Sequence, residues 1–130
     1  MNVSRELWKP ETPALLRGAC GPDVETIKAQ VESGIAHLYH FTGNETDIWL
    51  VTRGEEYPEG NELVILCAAG YGMKDAGEVL KDSARLMGFS CIRYHTPNLA
   101  VYKLYEKYGF GGAEVERVYK VDLKGGVNVE

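Results

Sequence analysis

Basic residues are in short supply in this chain. Lys and Arg number 14 against 19 Asp and Glu, for a formal net charge of −5. Without a basic face there is little to hold a nucleic-acid backbone or an anionic membrane, so neither is expected as a partner. Long apolar runs are missing as well, and none approaches the ~20 residues of a membrane span. Met1 to Pro10 carries Glu6 and lacks the apolar core of a secretory leader. Cysteine is scarce and odd in number: Cys20, Cys67 and Cys91 are widely spaced. His37, His40 and His95 do not join them at ligand intervals, so no metal site is expected. The thiols read as reduced and structural, with Cys67 and Cys91 in buried strands, in a cytoplasmic setting. There is no internal repeat, no low-complexity segment and no second domain. What remains is a chain of 130 residues, 45% hydrophobic, long enough to bury one core as a single domain.

The stretch from Glu62 to Phe110 organises the rest. Leu63-Val64-Ile65-Leu66-Cys67 is apolar at every position, which suits a strand covered on both faces. Ala68 to Met73, with Gly70 and Gly72, reads as a turn. A helix from about Asp75 to Met87 follows, with Asp75 and Glu78 spaced as a capping box and Gly88 as the stop. Ser90 to His95 is a second strand, and Pro97-Asn98 opens a second helix that ends at Tyr108-Gly109-Phe110. Strand, crossover helix and strand make a right-handed βαβ unit. Its ligand site would lie at the carboxyl ends of the strands, beside the glycine turn.

Upstream, Val3, Leu7 and Trp8 could start an edge strand. Thr12 could cap a short helix with Pro13 at its first position. Asp23 to Ser33 repeats Val24, Ile27 and Val31 at helical spacing, and Gly34 stops it. Ala36 to Thr42 and Asp47 to Arg53 read as a hairpin around Gly43–Thr46, the second strand apolar on both faces. Gly54 to Asn61 is an acidic loop. Downstream, Ala113 to Leu123 alternates as a half-buried antiparallel strand, and Lys124 to Glu130 is a tail.

Asn98, Leu104-Tyr105-Glu106-Lys107 and Gly109-Phe110 together resemble the late motif of the GNAT superfamily of N-acetyltransferases. Val101 stands where a small residue is usual. The element order matches that superfamily from about Asp23 to Leu123, behind a shortened N-terminal region. The resemblance implies an α/β, three-layer GNAT-like fold with a mixed, splayed central sheet of six or so strands. It implies acetyl-CoA as cofactor and an amine, small molecule or protein, as acceptor. The cofactor-binding residues would be Leu66 on the splayed strand, Gly70, Gly72 and Met73 at the turn, and Asn98. Tyr105 would be the general acid that protonates the departing thiolate. The phosphate loop departs from the family pattern, with Cys67 where a Gln or Arg belongs and Asp75 and Glu78 close by. In this it is similar to shortened, phage-encoded GNAT-like proteins. That second resemblance implies an inactive structural or protein-binding module, with a homo-oligomer or a virion protein as partner.

Each candidate has a plainer alternative. Tyr105 shares a helical face with Val101, Leu104 and Tyr108 and could be a core tyrosine with its hydroxyl at the rim. Glu62 and the Glu55–Glu59 loop could take the acceptor's proton, or form a solvated acidic surface. His95, at the end of its strand, could shuttle protons or stand as a surface residue. His37 and His40 fall on opposite faces of one strand and cannot act together.

Overall fold

The computed structural model describes residues 1–95, 99–107, 109, 110 and 121. The elements run β1 (Asn2–Glu6), α1 (Thr12–Leu15), a 3-10 turn (Gly21–Asp23), α2 (Val24–Ser33), β2 (Ala36–Gly43) and β3 (Thr46–Glu55). They continue with β4 (Asn61–Tyr71), α3 (Met73–Leu86), β5 (Phe89–Tyr94) and α4 (Leu99–Lys107). The five described strands form one mixed sheet in the order β1-β2-β3-β4-β5. All neighbours are antiparallel except β4 and β5, which are parallel. The expected strand Ala113–Leu123, the tail and Asn98 lie outside the described residues.

Alternation along β2 and β3 divides the core in two. Phe41, Ile48, Leu50, Leu63 and Ile65 face α3 and pack on its Met73, Ala76, Leu80 and Ala84. Leu38, Val51 and Cys67 face the other way, against Ile27 of α2 and Leu16 and Cys20 of the segment before it. Burial of both faces explains why Ile48 to Val51 is a continuous apolar run. Phe110 packs on the α3-side core. It lies so close to α3 that a Cβ on Gly77 would stand 2.7 Å from its ring. Lys81 Nζ donates to the Gly109 carbonyl at 2.7 Å. The Gly-Phe pair thus anchors the end of α4 to α3.

The structure corrects several local expectations. Thr12 is the first residue of α1 rather than its cap, and Glu11 holds the cap position without a side-chain bond. The Thr12 hydroxyl instead accepts the Lys9 N–H at 2.8 Å. Of the apolar residues near β1, Leu7 is exposed and Trp8 packs on the α2-side core, so the strand ends at Glu6. Cys91 is exposed on β5 rather than buried. β3 runs on to Glu55, so the acidic loop begins only at Glu56.

The largest correction concerns the glycine turn. Ala68 to Tyr71 is strand: β4 stays paired with β3 up to Tyr71 opposite Asp47. Gly72 alone turns the chain, and α3 starts at Met73, not Asp75. Gly70 and Gly72 have φ of +128° and +93°, which L side chains rarely adopt. A Cβ on Gly70 would lie 2.1 Å from the Asp47 carbonyl oxygen, and one on Gly72 2.5 Å from Thr46 Cα. Both glycines therefore exist to let β4 close against the start of β3.

Candidate active site

β4 carries the site because its two halves have different neighbours. From Asn61 to Ile65 it pairs with β3 on one edge and β5 on the other. The parallel ladder ends at Ile65 opposite Tyr94. From Leu66 to Tyr71 only the β3 edge is paired among the described residues. The change coincides with a bulge: Thr52 pairs with Ile65 and Val51 with Cys67, which leaves Leu66 as the extra residue. A bulge bends its strand and raises the local twist. Among the described residues the parallel pairing stops at this point, in keeping with the splayed sheet that the resemblance implies.

The open stretch leads into the N-terminus of α3. Gly72 offers no side chain, and no other side chain caps the helix. The first helical bond runs from the Ala76 N–H to the Gly72 carbonyl, so the amides of Met73, Lys74 and Asp75 precede the ladder. The expected capping by Asp75 does not occur, because Asp75 lies inside the first turn. The flank of α3 toward β1 and β2 is acidic. A groove of about 520 Å³ there is lined by Asp75, Glu78, Asn2, Thr42, Asn44 and Thr46. That flank repels an anion, which leaves the side toward the splay as the approach for one.

Leu66 packs against the α2-side core. Met73, the first residue of α3, is buried and Tyr71 is exposed. Leu66, Gly70, Gly72 and Met73 are thus brought together along one open strand and one helix start, with backbone as their available surface. Cys67, where a basic or amide side chain was expected, points into the core and meets Cys20 Sγ at 2.9 Å. Burial and that contact raise the Cys67 pKa. Tyr105 lies on α4, but its side chain, like the whole of Asn98, lies outside the described residues. His95 follows β5 directly and is exposed at the splayed end.

The glutamates considered as bases sit at the other end. Glu55 accepts from Arg53 Nη2 at 2.6 Å, from Arg93 Nη2 at 2.7 Å and from the Tyr57 hydroxyl at 2.5 Å. Those bonds, Tyr57 first and Arg53 next, hold its pKa below the ordinary 4.5. Glu62 pairs opposite Glu55 and lies 3.6 Å from Arg93 Nε. Both carboxylates are bound into a network at the closed end of the parallel pair, away from the splay.

A pair that sequence reasoning missed stands at the open end. His40 Nε2 meets Asp47 Oδ1 at 2.7 Å, and its ring stacks on Trp49 at 4.0 Å with 8° between planes. Trp49 lies opposite Ala69 and Asp47 opposite Tyr71, so the group is level with the open half of β4. The signal was in the hairpin. Counting back from Gly43 opposite Thr46 puts His40 opposite Trp49. Two strand spacings, about 10 Å, separate His40 from β4. The bond to Asp47 fixes the orientation of the His40 ring over Trp49. His37 occupies the other face, edge-on to Tyr39 at 6.3 Å, which bears out the separation of the two histidines.

Several solved structures with this arrangement are described as acetyltransferases. One is a ribosomal-protein-alanine N-acetyltransferase from Brucella melitensis biovar Abortus 2308, at TM-score 0.65 and 16% identity, covering 95% of this chain and 100% of that one. The fold here is that of the GNAT acetyltransferases. A glucosamine-6-phosphate N-acetyltransferase from Arabidopsis thaliana aligns at TM-score 0.53 and 11% identity, over 94% of this chain and 100% of its own. An aminoglycoside acetyltransferase from an uncultured soil metagenomic sample aligns at 0.55 and 16%, again over 94% and 100%. No family model and no curated protein sequence matches this GNAT-fold chain. Among the described residues no helix is long and apolar enough to cross a membrane, and no cluster of side chains could hold a metal ion.

Proposed function

We propose that the chain is an acetyl-CoA-dependent N-acetyltransferase acting on an amine. The observation that carries this reading is the open half of β4 running into an uncapped helix start. The backbone there fits the cofactor on physical grounds. An unpaired strand edge from Leu66 to Tyr71 can exchange hydrogen bonds with the amides of a pantetheine arm, as an added strand would. The free amides of Met73, Lys74 and Asp75 suit a pyrophosphate. Bound there, acetyl-CoA would supply an activated acetyl thioester. Asn98 lies just ahead of α4 in the chain, and we assign it to the cofactor arm. Tyr105 is the residue we assign to donate its Oη proton to the departing sulfur. Holding thioester and amine side by side contributes much of the rate. The net charge of −5 favours a cationic acceptor. We place the work in the cytoplasm, where acetyl-CoA is at hand.

One observation favours a second reading, an inactive module that binds a protein, as in a virion. Close packing against β3 accounts for Gly70 and Gly72 without any ligand, and Asp75 puts a negative charge in the first turn.

Calorimetric titration with acetyl-CoA and CoA separates the two. Micromolar binding, followed by amine acetylation that Tyr105→Phe slows by about 10²-fold, is the expected result. No heat at millimolar cofactor would sink the enzyme reading and leave the binding module.

A further inference from the structure

The α2-side core holds a close contact between two side chains distant in sequence that acetyl transfer does not use. Cys20 and Cys67 are 47 residues apart, both buried, both free thiols, and their sulfurs lie 2.9 Å from each other. A disulfide needs a separation of about 2.05 Å, so the two sulfurs are within about 1 Å of bonding distance. We propose that Cys20 and Cys67 form a reversible intramolecular disulfide when the protein meets a peroxide.

Each partner has a reason to be where it is. Cys67 follows the Leu66 bulge on β4, and its side chain enters the α2-side core. Cys20 belongs to the short segment between α1 and the 3-10 turn. That segment carries Arg17, the one described non-glycine residue with positive φ, at 52°, next to Gly18 at 72°. A non-glycine residue in that region carries strain. Cys91, in contrast, is exposed on β5 and has no thiol neighbour among the described residues.

The chemistry balances with one peroxide. The Cys20 thiolate attacks a peroxide oxygen, breaking the O–O bond, to give a sulfenic acid and one water once a proton is taken up. The Cys67 sulfur then attacks the Cys20 sulfur, forming S–S and expelling hydroxide, which leaves as the second water with the Cys67 proton. Two thiols lose two electrons and the peroxide gains them. Cys20 is assigned the first step and Cys67 the second, since burial and the neighbouring sulfur raise the Cys67 pKa. Hydrogen peroxide is the small oxidant the step requires, and Cys20 keeps 7% of its residue surface. The bond would tie the segment before α2 to the strand that carries the open edge, and so fix one wall of the α2 face. The inference stands whether or not the protein transfers acetyl groups.

The test uses the full chain as Cys91→Ser, so that the exposed thiol takes no part. The protein is treated with a small excess of hydrogen peroxide, unfolded, and blocked with N-ethylmaleimide. The expected result is a mass lower by two hydrogens, no blocked thiol and a Cys20–Cys67 cross-linked peptide that dithiothreitol releases. The melting temperature of the oxidised form should rise by roughly 5–10 °C, because the closed loop restricts the unfolded chain. Two blocked thiols after treatment, over-oxidised single cysteines, or a melting temperature that does not rise would overturn the proposal. Cys20→Ala in the same background should lose the cross-link; a cross-linked species that survived it would also overturn the assignment.

Discussion

The two halves of β4 belong to one strand and live by different rules. From Asn61 to Ile65 both edges are hydrogen-bonded, and side chains at that level form a closed network of Arg53, Glu55, Tyr57, Glu62 and Arg93. From Leu66 to Tyr71 one edge is bare among the described residues, and the side chains on that stretch shrink to Ala68, Ala69 and Gly70. The first half spends its polar groups on stability. The second leaves backbone groups unpaired, which a folded protein tolerates only where solvent or a ligand can satisfy them. The proposed acetyl transfer would rest on what the second half omits, and on β3 holding it in place from the other side.

If β3 is what holds the open half, Gly70→Ala should be the most damaging change. Its Cβ would meet the Asp47 carbonyl and Ile48 Cα in a backbone region closed to alanine. Steric overlap and unfavourable φ together should cost about 3–5 kcal/mol, read by urea denaturation. A variant as stable as the parent would show that the seam between β3 and β4 is not closed.

The closed half can be broken by Glu55→Gln. The amide keeps the shape and loses the charge that Arg53 and Arg93 share, which should cost about 1–2 kcal/mol, since the side chains are partly exposed. The pH dependence has a definite sign. The folded-state pKa of Glu55 is lowered, so its contribution is complete above the ordinary 4.5 and is lost as pH falls through the folded value. Below that range parent and variant should converge in stability. A gap that persisted into acid would assign the effect to shape rather than charge.

At the open half, Asp75→Asn removes a negative charge from the first turn of α3. CoA affinity should rise by about twofold to fivefold at low salt, and the gain should fade as salt is added. Affinity that fell instead would mean that the anion is not met at this helix start.

The smallest effect is expected from Asp47→Asn, which weakens the His40 contact at a half-exposed carboxylate. Stability should fall by about 0.5 kcal/mol or less. Acetylation of amines, once a substrate is found, should fall further than that if His40 handles the acceptor's proton. Equal small losses in both would reduce the pair to a surface contact.

Much of this was legible in the residues. The apolar run Leu63–Cys67 announced a strand covered on both faces, and Val24, Ile27 and Val31 announced α2. Gly43 to Thr46 announced the hairpin, and from its register the meeting of His40 with Trp49 could have been counted. The motif from Asn98 to Phe110 pointed to the GNAT fold, although most of its expected chemistry falls on residues outside the described ones. What the sequence misstated was the end of β4. Ala68-Ala69-Gly70 has poor strand propensity and the spacing of a turn, so the local signal ran against the outcome. The strand continues because β3 supplies partners as far as Asp47, and only glycine lets the two backbones come that close. Asp75 and Glu78 likewise had the spacing of a cap, but the cap position had already gone to Gly72.

Periodicity acts over a few residues, and from it the sequence by itself determined most of the described elements, their order and their apolar faces. Which strand edge stays open, which thiols meet and which carboxylates are bound away from the splay depend on partners tens of residues distant. Only the tertiary structure decided these, because the energy of a strand edge or a buried sulfur belongs to the pair and not to either residue.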